Sequence, residues 1–131
     1  MTVLAETRSA LATSPRADLD MLAGTWSNTN RQSTGIVKAI FDNVDGDLWI
    51  RFFGAIDGKP ADWGSAPATL FFDRNDEGME QPFAVRWEHG FMTVVAHGFL
   101  RQGVLVILTF TRFNDGDPRS SYFSKEFFFR E

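Results

Sequence analysis

From Gly24 to Arg130 apolar and polar residues alternate with a period of two, and short polar or glycine-bearing stretches break the alternation at regular intervals. Each block reads as a strand and each break as a turn. The pattern predicts a short first strand over 25–30 and a second over 34–44 (TGIVKAIFDNV). Asp45-Gly46 follows as a hairpin signal. The third strand (47–54, DLWIRFFG) places Leu48, Ile50 and Phe52 on one face and Trp49, Arg51 and Phe53 on the other. Residues 55–67 (AIDGKPADWGSAP) lose the alternation and read as the longest loop. The remaining strands are expected at 68–74, 82–89, 91–100, 104–113 and 119–130.

Eight strands joined mostly by tight turns leave no room for crossover helices, so consecutive strands pair antiparallel. A meander this apolar must stack as two sheets or close on itself. Closure removes both edges, and eight strands leave an interior wide enough for side chains or one small ligand. The expected fold is therefore all-β, an eight-stranded antiparallel up-and-down barrel; a jelly-roll sandwich is the alternative, but only 55–67 is long enough for a crossing connection. Residues 1–23 are expected to form a helix or tail over 3–12 and one helical turn at 18–22 that caps the barrel. Residues 24–131 would form the barrel itself, all in a single domain.

Composition narrows the function classes. Apolar residues are 44% and aromatics 15% of the 131, with 14 Phe, enough for a packed core. A net charge of −4 with scattered basic residues gives no footprint for nucleic acid or an anionic membrane. The absence of Cys removes disulfides, thiolate nucleophiles and Cys-ligated metal sites. Neither a membrane-spanning apolar run nor a secretory signal is read from the chain, and a cytoplasmic location is expected.

Gly24-Thr25-Trp26 at the start of the barrel and Arg130 near its end resemble the pattern of calycins, the antiparallel barrels that include lipocalins, fatty-acid-binding proteins and avidins. The resemblance implies that Arg130 packs over the Trp26 indole and seals one end of the barrel. A cation on an indole face is worth ~0.5–2 kcal/mol. Strand lengths are more similar to avidins than to lipocalins. Avidin-like members carry an Asn two residues after the Trp, here Asn28, and a following Ser; both contact the ligand, and Ser33 stands one residue from the matching position. The four Trp are Trp26, Trp49, Trp63 and Trp87, and none lies in the seventh or eighth strand, where avidins stack their ligand. Biotin is therefore not the expected ligand.

Candidate chemistry outside the resemblance is sparse. In KPADWGS, Asp62 and Trp63 combine a hydrogen-bond acceptor with a stacking surface; the competing reading is an Asx turn at Asp62 with Trp63 folded back over apolar residues. Trp87 is a further aromatic ligand candidate. His97 would be a candidate general base if it faced inward, because its unperturbed pKa lies near neutrality. His89, at a turn, is expected to be solvated. Glu88 and Glu126 would make an acid–base pair only if both faced inward. Asp115 and Asp117 sit in an acidic turn that lacks the helices of a Ca²⁺ loop. No metal or cofactor is expected.

The function expected first is binding of a small apolar or aromatic ligand inside the barrel. An enzyme of cyclase, isomerase or lyase type on the same scaffold, with His97 or a carboxylate moving a proton, is the alternative. A third reading is a structural or interaction module with a filled core. The seventh strand is apolar on both faces, and the eighth adds Tyr122 and Phe128 opposite Phe123, Phe127 and Phe129. A homodimer through these strands would cover the outward set.

Overall fold

A computed structural model describes residues 19–56 and 59–131. Eight strands close into one antiparallel barrel in sequence order: β1 (Gly24–Asn28), β2 (Ile36–Val44), β3 (Asp47–Ile56), β4 (Lys59–Leu70), β5 (Glu80–His89), β6 (Met92–Arg101), β7 (Val104–Phe113) and β8 (Tyr122–Arg130). Closure is made by β1 on β8, with Trp26 opposite Arg130 and Asn28 opposite Phe128. The hairpin turns at 45–46 and 102–103 place Asp45 and Gln102 at φ 53° and 51°, each followed by a glycine of positive φ. That is the geometry two-residue hairpins need. No helix among the described residues is long and apolar enough to cross a membrane.

Side chains that face each other across neighbouring strands share a face, so the register decides what points inward. The inward set includes Trp26, Ala39, Phe41, Ile50, Phe52, Phe83, Val85, Trp87, Val94, Ala96, Leu105, Ile107 and Phe128, all buried. The Phe41 and Phe83 rings meet edge-on at 5.2 Å, and Phe52 stacks on Trp87 at 4.3 Å. The apolar interior is thus occupied by aromatic rings.

One end of the barrel is sealed. Leu19 to Ala23 make a single turn, with Leu22 and Ala23 N–H both donating to the Leu19 carbonyl at 3.0 and 2.8 Å. Leu22 is fully buried against the core, and the Trp26 Nε1–H donates to the Leu22 carbonyl at 2.9 Å. The Arg130 guanidinium lies 4.6 Å from the Trp26 ring and donates to the carbonyls of Met21 and Ala23. Gly24 has φ +126°, and a Cβ there would stand 3.0 Å from Arg130 Nη1. Glycine at this position lets the guanidinium cross the chain.

Two expectations are corrected. The predicted loop over 55–67 belongs almost entirely to strands: β3 continues to Ile56, and β4 runs from Lys59 to Leu70. Beyond Leu70, where the strand was expected to continue to 74, Phe71 and Phe72 are exposed. The alternation was masked by a bulge at Trp63-Gly64, where the register against β3 shifts and Gly64 takes φ +85°. The expected helix over 3–12 lies outside the described residues.

Candidate functional site

The end opposite the seal is built differently. Here the β1–β2 loop (29–35), the β5–β6 turn and the β7–β8 loop (114–121) surround the mouth. The β1–β2 loop is set by a relay of side chains on backbone. Asn28 Nδ2 donates to the Ile36 carbonyl at 2.8 Å, and Asn28 Oδ1 accepts the Asn30 N–H at 2.8 Å. Asn30 Oδ1 accepts the Gln32 N–H at 3.0 Å, and Ser33 Oγ accepts the Gly35 N–H at 3.1 Å. Short polar side chains that bond the backbone two residues on are what fold such a loop without a strand partner.

This relay delivers Ser33, itself buried, to the inside of the barrel, where its hydroxyl donates to Glu126 Oε1. Glu126 faces inward because it pairs with Ile107, which is 1% exposed. Above it on the same face run Ser124 opposite Thr109 and Tyr122 opposite Thr111. Together Asn30, Gln32, Ser33, Thr34, Gly35, Tyr122, Ser124 and Glu126 line an open cleft of about 290 Å³. Its lining is hydroxyl, amide and carboxylate, whereas a mostly apolar pocket was expected.

On the β3–β5 side of the mouth stands an aromatic wall. Trp63 meets Phe52 edge-on at 6.2 Å and His89 at 6.3 Å. It lies so close over Gly54 that a Cβ there would be 2.4 Å from Trp63 Nε1. Trp87 Nε1–H donates to the Gly64 carbonyl at 3.0 Å, which ties the bulge to β5. His89, expected to be solvated, is half-buried, and its Nε2 has no protein hydrogen-bond partner. The same holds for Thr111 Oγ1, in a residue 3% exposed. At the rim Arg119 lies between the rings of Phe91 and Phe113, 5.1 and 4.3 Å from their centroids. Its guanidinium also holds the Asp117 carboxyl at about 2, well below the usual carboxylate value.

Of the residues singled out from the sequence, Asn28, Trp63 and Trp87 reach the upper interior, although Asn28 and Trp87 have committed their polar atoms to backbone. Asp62 lies on the outer surface, where its carboxylate accepts the Gly64 N–H at 2.7 Å and stands 3.8 Å from Arg51 Nε. This is the Asx-turn geometry. His97 is exposed on the outer face of β6, against Phe110. Glu88 points outward to Arg86 at 2.6 Å, so it does not meet Glu126. Asp117 is paired with Arg119 at 2.6 Å, and no group of three or more possible metal ligands exists among the described residues. Thr109, Thr111, Ser124 and Tyr122 were not singled out for the site. For Thr109 and Thr111 the signal was available in VLVILTFTRF, an apolar strand with two Thr on one face.

No family model, curated protein or solved structure matches the chain.

Proposed function

We propose that this protein is a small-molecule-binding barrel of calycin type, and that its binding site is the cleft at the mouth. The observation that carries this reading is the polar inward face of upper β7 and β8, which ends in a Glu126 carboxylate reachable from the cleft. A barrel with a purely structural interior has no use for an inward carboxylate and a row of hydroxyls, because burying them without partners costs stability. A polar head in the cleft and an apolar or aromatic body toward Trp63 would suit the two walls. The test is a fragment screen on isotopically labelled protein by amide NMR. Binding fragments should shift the amides of Ser33, Gly35, Ser124 and Glu126. Shifts confined to the outer faces, or none from any fragment, would overturn the reading.

The partner favoured for assembly is a second copy. Val104, Phe110, Phe123, Phe127 and Phe129 on the outer face of β7 and β8 are 40–52% exposed, and Phe110 and Phe123 already pair at 5.1 Å. Monomeric proteins seldom leave so many adjacent rings in water. Light scattering should give twice the 14.8 kDa chain mass, and Phe110→Glu with Phe123→Glu should restore the monomer mass; a monomer at the outset would end the idea.

A further inference from the structure

We infer that the cleft selects an organic ammonium ligand, a protonated amine whose N–H groups are received by Glu126. The inference rests on the binding reading above and names the chemistry of its ligand.

Glu126 is the one carboxylate on the inward face of the upper barrel among the described residues, by the register of β7 on β8. It forms no ion pair among the described residues. Its Oε1 accepts the Ser33 hydroxyl, and its Oε2 accepts no hydrogen bond among the described residues. One neutral hydroxyl is a small compensation for a half-buried negative charge, and a cation is its natural complement. The approach to Oε2 is kept open by Gly35: a Cβ there would lie 3.3 Å from that oxygen. Any other residue at 35 would crowd the atom that lacks a donor.

The cation expected is organic. Protein metal sites are usually built on several carboxylates or imidazoles, and among the described residues no three His, Cys, Asp or Glu stand together; Glu126 is a single carboxylate. An ammonium needs one charged acceptor and two further acceptors for its other N–H groups. The Ser124 hydroxyl and the Asn30, Gln32 and Thr34 side chains line the same cleft and can supply them. Tyr122 lines the same cleft, and an aromatic ring attracts cations. An anionic head would meet the Glu126 charge with no arginine or lysine among the described residues that line the cleft to offset it.

A charge series of one shape tests this: 2-phenylethylamine, 2-phenylethanol and phenylacetate, titrated at neutral pH with the amides of Ser33, Gly35 and Glu126 as readout. The amine should bind about tenfold or more tighter than the alcohol, and the acid should bind weakest. Glu126→Gln, which keeps shape and removes charge, should abolish the amine's advantage over the alcohol. Gly35→Ala should weaken the amine more than the alcohol, and its thermal midpoint reports separately on any cost to folding. Cleft shifts of equal size from all three compounds would overturn the ammonium inference and leave the binding reading standing. Cleft shifts from none of them would overturn the inference, and the broader fragment screen then decides the binding reading.

Discussion

The two ends of this barrel treat polar groups in opposite ways. At the sealed end the polar groups that the described residues bring to the core are matched within the chain: Trp26 Nε1 by the Leu22 carbonyl, and the Arg130 guanidinium by the Met21 and Ala23 carbonyls and the Trp26 face. At the mouth, Thr111 Oγ1 and His89 Nε2 are buried with no protein partner, and Glu126 has a single hydroxyl for company. The same eight strands build both ends. What differs is the inward residue at each level: on β7, Leu105 and Ile107 below give way to Thr109 and Thr111 above, and on β8, Phe128 gives way to Glu126 and Ser124. Matched polar groups hold a fold together, whereas unmatched ones at a mouth are available to something else.

The strongest way to break the contrast is at the seal. Trp26→Ala removes a side chain that is 1% exposed and should cost ~3–5 kcal/mol in urea unfolding. Arg130→Ala loses an exposed cation–π contact and two charge-assisted bonds to carbonyls, and should cost about 1–2 kcal/mol. Because the two residues touch, the double variant should lose about 1 kcal/mol less than the sum of the singles. Ligand affinity should follow stability only, since the seal is remote from the cleft. A coupling near zero would separate Trp26 from Arg130 and would remove the strongest support for a calycin relationship.

The two ends also differ in how far the sequence reveals them. The contact at the seal was expected from the sequence, because Gly24-Thr25-Trp26 and Arg130 resemble a recurring pattern, and Arg130 does lie over the Trp26 ring. β7 was legible to the residue, since the Gln102-Gly103 turn and the polar stretch from Asn114 bound a run of strand-forming residues that is apolar on both faces. The mouth was not. β4 was hidden because Trp63 and Ala66 both pack inward although they are three apart, so the bulge at Gly64 changes the phase within the strand. Glu126 could be read as a strand residue, but its facing and its partner Ser33, 93 residues earlier in the chain, come only from barrel closure. Periodicity says that two faces exist; it takes pairing to say which one is inside.

A finer test of the same contrast is Thr111→Val, a change that keeps shape and deletes only the buried hydroxyl. At the seal, deleting a polar group leaves its partner unsatisfied and must destabilise. At the mouth, Thr111 Oγ1 has no protein partner to abandon, so its loss removes a desolvated hydroxyl. Stability without ligand should therefore rise, by about 1 kcal/mol, read as a higher urea midpoint at unchanged slope. Val94, which faces Thr111 across the β6–β7 register, shows that the layer accepts a valine. If the variant instead unfolds more easily by a similar amount, the hydroxyl is making a bond the fold depends on, and the mouth then resembles the seal. If stability rises while a cleft-binding fragment loses affinity, Thr111 has been kept polar for the ligand, and the difference between the two ends is functional in origin.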